Sequence, residues 1–240
     1  MRRETQNILL ILLGGALVKI AVNGDYLRYV KPAQQPWIIA GGAVMVLLGA
    51  VAIVRDLLAA RAAAAADHDH GHSHSARPAW LLLVPVLAVF LVAPPALGAD
   101  SVIRTEARVP ASAAAANAAA FPPLPAGNVV PLSVNEFVSR AGWDTSGTLN
   151  GRAISLTGFV VHTGGTTLLA RLVISCCAAD AFPVTVRIRG GEADHLAADA
   201  WIRVTGQVVP GTATKDNNYT PDFTTASIDT VPAPKDPYEY

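Results

Sequence analysis

The sequence predicts a membrane protein in two parts: three transmembrane α-helices, then a C-terminal small all-β, OB-like barrel. Composition points there first. Of the 240 residues 52% are hydrophobic and 15% charged, whereas a globular chain carries about a quarter charged residues. Next, the apolar residues before position 98 gather into three runs close to bilayer length. Beyond Gly151 the pattern changes to short β-rich runs with glycines at their bends. Two cysteines are too few for a disulfide-stapled scaffold. Residues 1–98 hold eight Lys/Arg against five Asp/Glu, and residues 99–240 ten against thirteen. Neither part shows the basic footprint of a nucleic-acid binder.

A bilayer core of roughly 30 Å needs about 20 apolar residues in a helix. The first run, Ile8 to Val22, reaches that length if the helix continues through Asn23-Gly24-Asp25 to Tyr29, giving a span over about 8–29. Lys19 is then an intramembrane polar residue whose ammonium snorkels to the interface. The second span, 37–54, opens on Trp37 as an interfacial anchor and ends at Arg55. The third, 79–98, begins beside Trp80 and contains Pro85, which kinks it. Met1-Arg2-Arg3 before an apolar run resembles a signal peptide, and Ala96-Leu97-Gly98 resembles a signal-peptidase site. The uncleaved three-span chain is the expectation.

With the N-terminus inside, Arg2, Arg3, Arg55, Arg61 and Arg77 face the cytoplasm, and Arg28, Lys31, Arg104 and Arg108 lie outside. That puts the protein in a cell membrane as a multi-pass chain, with its C-terminal domain extracytoplasmic.

The linker 55–78 carries Asp67-His68-Asp69-His70-Gly71-His72-Ser73-His74. Neutral imidazoles are common ligands for zinc, copper and nickel, and alternation lets a loop wrap several of them around one ion. The other reading is a polar low-complexity linker without a resident ion.

Residues 99–131 are Ala/Pro-rich and read as a linker away from the membrane. The β-rich domain covers 132–240. Ser133-Val134-Asn135-Glu136 is a capping-box pattern that opens a short helix stopped near Gly142, with Phe137 and Trp143 in the core. Strands are expected over Ile154–Val161, Leu168–Cys177, Phe182–Arg189, Trp201–Val209 and Thr224–Val231, with a short helix through Ala193–Ala198. Val184, Val186 and Ile188 share one strand face. Five short strands with a helix after the third suggest the OB-like barrel.

Both cysteines sit side by side, Cys176-Cys177, at the expected end of the second strand and before Asp180. Three readings stay open. In a strand their side chains point to opposite faces, one buried and one exposed. A bridge between neighbours is strained and easily reduced, which makes a labile vicinal disulfide. Alternatively the thiolates bind a soft ion with Asp180, and with His162 or His195 nearby. The chain lacks a Cys-x-x-Cys motif, a phosphate loop and a nucleotide fingerprint, and no enzyme activity is expected.

The stretch Leu169 to Ala181, with Cys176-Cys177-Ala178-Ala179-Asp180-Ala181 at its end, and the later Trp201-Ile202-Arg203-Val204-Thr205-Gly206 resemble the YcgQ-like bacterial membrane proteins. That resemblance covers essentially the whole chain and implies a permease subunit whose C-terminal part has no assigned function. It implies a multi-span permease of the YcgR type as partner, besides the lipid bilayer. Cys176, Cys177 and Asp180 match the family's signature and become the candidate ligands for zinc or another transition or soft metal ion. The expected function is a non-catalytic accessory subunit in metal or small-ion transport. The alternatives are a thiol-redox factor and a structural assembly factor.

Overall fold

The computed structural model describes residues 3–64, 84, 87–88, 91–92, 95–105 and 121–240. Most of the expected third span, and the histidines of the 55–78 linker, lie outside the described residues. The chain divides into two compact units, Met1–Pro95 and Ala96–Tyr240.

The first unit is an antiparallel hairpin of α1 (Arg3–Asn23) and α2 (Gln35–Ala64). Apolar residues without interior proline favour both helices. Gly24, left-handed at φ 85°, ends α1, and two short 3₁₀ turns, Asp25–Arg28 and Pro32–Gln34, reverse the chain. The first span therefore stops at Asn23 and does not run on to Tyr29; α1 gains its length at the other end, from Arg3. Likewise α2 continues past Arg55, because the charged side chains Arg55, Asp56 and Arg61 do not interrupt the backbone ladder.

Asn7 Nδ2 donates to Asp56 Oδ2 (3.1 Å) at one end of the hairpin, and Gln35 Nε2 donates to the Ala21 carbonyl (3.0 Å) at the other. Between them the backbones meet at Gly14 and Gly42. A Cβ on Gly42 would lie 2.8 Å from the Gly14 carbonyl oxygen. Leu47, Leu48, Val51 and Leu58 point outward. The segments Thr5–Asn23 and Pro32–Arg61 are long and apolar enough to cross a membrane. Lys19 is exposed, four residues before the end of α1.

Among its described residues the second unit holds two α-helices, α3 (Ala99–Arg104) and α4 (Val134–Trp143), and a mixed seven-stranded sheet. Its strands are β1 (Val129–Pro131), β2 (Ala153–Thr163), β3 (Thr166–Val173), β4 (Phe182–Arg189), β5 (Trp201–Val208), β6 (Asp222–Thr230) and β7 (Tyr238–Glu239). The order is β1-β2-β5-β6-β4-β3-β7, and β2 also pairs with β3. Five strands thus form a closed circuit, β2-β3-β4-β6-β5. All its pairings are antiparallel except β4 with β6, where Arg187 stands beside Asp222. At the β5–β6 bulge the backbones come so close that a Cβ on Gly206 would strike the Thr224 carbonyl.

Inside the circuit lie Ile154, Leu156, Leu169, Val184, Val186, Ile202, Val204 and Phe223. Helix α4 covers this core with Phe137, whose ring meets Phe223 edge-on at 5.5 Å. A second apolar cluster forms around Phe159, Val161, Leu172, Ile174 and Tyr238, and α3 packs on it through Ala99 and Val102.

The domain departs from expectation in several places. Residues 99–104 are a packed helix capped by Asp199, which accepts from the Ala99 N–H at 2.6 Å, and 129–131 are a strand, so neither belongs to a free spacer. Residues 193–198 are turns and bends, not a helix. Trp143 is half-buried and stacks on Tyr219, with ring centroids 4.6 Å apart, outside the core. Ser133 caps α4 as expected, its Oγ accepting from the Glu136 N–H. The Glu136 carboxylate turns instead to Arg140. Strand β3 ends at Val173, so the cysteines stand beyond it.

Candidate functional site

Past Val173 the chain leaves the sheet. The Ile174 N–H donates to the Glu239 carbonyl (3.0 Å), and Ser175 and Cys176 bend before a 3₁₀ turn over Ala178–Asp180. That turn brings the Asp180 carboxylate back onto the chain just before it. Oδ1 accepts from the Ser175 N–H at 2.8 Å, and Oδ2 from those of Cys176 (2.8 Å) and Cys177 (3.4 Å). Three backbone donors fix the carboxylate, as in other small anion-binding concavities of consecutive N–H groups. Ala178 and Ala181 pack on the second apolar cluster and hold the loop to the domain.

The bend removes the alternation that a strand would impose. Instead of pointing to opposite faces, the two thiols lie together, Sγ to Sγ 3.5 Å. Both are free cysteines, Cys176 exposed and Cys177 half-buried. Their sulfurs and an Asp180 carboxylate oxygen all lie within 4.8 Å of one another. Sulfur and carboxylate donors in one cluster suit zinc and softer ions. Facing Asp180 foremost, and then Cys177, the Cys176 thiol is pushed up to about 12. The same thiol's hydrogen bond, helped by the backbone donors, holds Asp180 below the usual carboxylate range. Both neighbours therefore favour the protonated thiol of Cys176 over its thiolate.

His162 and His195 are not part of this cluster. His162 sits at the far end of β3's pairing with β2, its Nδ1 3.1 Å from Thr167 Oγ1 and its Nε2 2.8 Å from the Leu196 carbonyl. His195 is exposed in the turn after β4. His68, His70, His72 and His74 lie outside the described residues.

Sequence reasoning missed the buried charge beside the cysteine loop. Arg171, exposed 9%, pairs with Glu239, exposed 11%, at 3.5 Å. Burial is the largest influence on both, pushing the Glu239 carboxyl up and the Arg171 guanidinium down, while their mutual attraction pulls each back. A signal was available, since Arg171 is the one charge in the run Leu168 to Cys177. Glu239, flanked directly by Tyr238 and Tyr240 at the end of the sequence, offered none.

Residues 5–106 match the DUF1980 N-terminal domain, and residues 144–240 match the DUF1980 C-terminal domain. No curated protein matches the chain.

Proposed function

On the premise that the chain carries both DUF1980 domains in order, we propose that it is a membrane-anchored, non-catalytic accessory subunit of a permease, whose second unit captures a metal ion through Cys176, Cys177 and Asp180. The observation that carries this is the gathering of two thiols and one carboxylate within 4.8 Å on a surface loop. Water reaches the site, and nothing but ligand exchange is needed to load or unload it.

The other parts of the reading follow the resemblance to YcgQ-like proteins. Helices α1 and α2 cross a bacterial cell membrane with their outward leucines and valines in lipid. A third span, expected over 79–98, ends earlier than Gly98, because residues 95–98 are not helical and Ala96 and Leu97 already belong to the second unit. Lys19 lies near enough to the end of α1 for its ammonium to reach an interface. The second unit is extracytoplasmic and OB-like. The closed circuit of five strands, with one parallel pairing, supports that architecture. His68, His70, His72 and His74 buffer the same kind of ion on the inner face, and a multi-span permease of the YcgR type is the partner.

The test uses the full chain in detergent micelles, with the four linker histidines changed to Gln. Zinc that protects both thiols from alkylation, and is lost in Cys176→Ser/Cys177→Ser, supports capture. Thiols equally reactive with and without zinc, copper(I) and arsenite would end the reading.

A second reading, a redox factor with a vicinal disulfide, draws on the 3.5 Å separation of the sulfurs. A bond of about 2.05 Å requires them to close further and strains the loop. A thiol count unchanged by oxidant removes it.

A further inference from the structure

We infer that the cysteine loop selects a four-coordinate, tetrahedral divalent ion of the zinc class, holding it by three protein atoms and leaving the fourth position open for a donor from outside. The inference deepens the ion-capture reading and rests on it.

Geometry carries the choice of ion. With metal–sulfur bonds of about 2.3 Å, tetrahedral coordination separates two sulfurs by about 3.8 Å, and linear coordination by about 4.6 Å. The observed Sγ–Sγ separation is 3.5 Å. Sulfurs that close subtend about 100° at such an ion, between the right angle and the tetrahedral angle and far from the straight line that two-coordinate copper(I) adopts. Two sulfur donors to one carboxylate then favour the tetrahedral zinc class over octahedral oxygen-loving ions.

Cys176 and Cys177 are neighbours on the chain, and the N–H groups of both are tied to Asp180. That same carboxylate lies within ligand reach of both sulfurs. Its backbone donors orient it much as outer hydrogen bonds orient the carboxylates of other metal sites.

The ligand count carries the open position. Closed, structural zinc sites use four protein ligands; sites with three keep the fourth position for water or an incoming group. Among the described residues no fourth His, Cys, Asp or Glu joins the three, and Cys176 is exposed. An ion held so can be passed on by ligand exchange. As each metal–sulfur bond forms, the thiol proton leaves to buffer, so two protons replace the two charges of the ion and the site's net charge is unchanged.

Cobalt(II) is the probe, since its visible spectrum separates tetrahedral from octahedral sites. The experiment uses the full chain in micelles with His68, His70, His72 and His74 changed to Gln. About one cobalt per chain is expected, with thiolate-to-cobalt charge transfer and tetrahedral d–d bands, displaced by zinc. Added azide or imidazole shifts those bands by entering the fourth position. Asp180→Asn weakens binding by at least about tenfold, and Cys176→Ser/Cys177→Ser abolishes the charge transfer while the far-ultraviolet circular dichroism stays unchanged. If copper(I) protects the thiols but cobalt and zinc do not, the ion class inferred here is wrong and the capture reading survives. A tetrahedral spectrum indifferent to azide and imidazole overturns the open position. Thiols that no ion protects overturn both readings.

Discussion

Arg171 and Glu239 join β3 to the C-terminal strand as a buried pair, Nε to Oε1 3.5 Å. The guanidinium also donates from Nη2 to the Tyr238 carbonyl (3.0 Å) and lies 4.8 Å over the Trp201 ring. The carboxylate accepts from the N–H groups of Val134 (2.9 Å) and Asn135 (2.7 Å). One side chain therefore caps α4, neutralises Arg171 and holds β7 beside the strand that leads to the cysteines.

Glu239→Gln keeps the shape and an acceptor but leaves Arg171 buried without its counter-charge. A loss of about 3 kcal/mol is expected, read as a lower urea midpoint for the Trp201 fluorescence change. Arg171→Met combined with Glu239→Leu recovers most of it, because no uncompensated charge then remains. A double variant as unstable as Glu239→Gln would mean that the capping of α4, not the ion pair, carries the effect.

Asp144 anchors the loop after α4. Partial burial raises its pKa, but hydrogen bonds from Ser146 and Thr148 outweigh that and bring it to about 2. A depressed carboxylate stabilises the folded state above its unfolded pKa of about 3.9 and loses that contribution as pH falls toward 2. After discounting for solvent screening the effect is about 1 kcal/mol. Hydrogen exchange of residues 144–150 should accelerate, relative to the intrinsic rate, between pH 4 and 2. In Asp144→Ala it should already be fast at pH 6, with no further change on acidification.

Cys176 is exposed yet held as a thiol, with Asp180 as the main cause. Only the thiolate is nucleophilic. Iodoacetamide at pH 7.5 should therefore modify Cys176 at least about tenfold more slowly than an ordinary exposed cysteine, with a rate that climbs as pH rises toward 12. Asp180→Asn should bring the rate close to the ordinary value. Mass spectrometry of the labelled peptide distinguishes Cys176 from Cys177.

In the helical hairpin, Gly42→Ala sets a Cβ 2.8 Å from the Gly14 carbonyl oxygen and against Val18. Separating the helices to relieve this costs about 1–3 kcal/mol. Gly41→Ala, one residue away, meets nothing within 4 Å and should leave thermal stability in micelles unchanged or slightly raised through helix propensity. Equal behaviour of the two variants would mean that α1 and α2 do not pack at these glycines.

Periodicity and composition were enough for the longer elements, though not for the stretch 193–198, which is turns and bends where a helix was expected. The apolar runs announced α1 and α2. Ser133 announced the cap of α4, and the alternation Val184-Val186-Ile188 announced a strand with one core face, as found. Where a helix stops was harder to read. Gly24 was visible, but its left-handed φ is a backbone state that any glycine can take or leave.

What only the tertiary structure decided is non-local. Pairing of β2 with both β3 and β5, and of β4 with β6, closes the circuit, and each pairing depends on residues far apart in the chain. Glu239 caps a helix that begins more than a hundred residues before it, a relation with no periodic trace. The cysteines show the same division most sharply. Their adjacency, and Asp180 three residues on, were plain in the sequence. Which way the thiols point was not, because extending β3 by a few residues sends them to opposite faces, while ending it at Val173 brings them together. Strand pairing with β4 and β7 runs out at Val173, and the backbone N–H groups freed there find the Asp180 carboxylate instead.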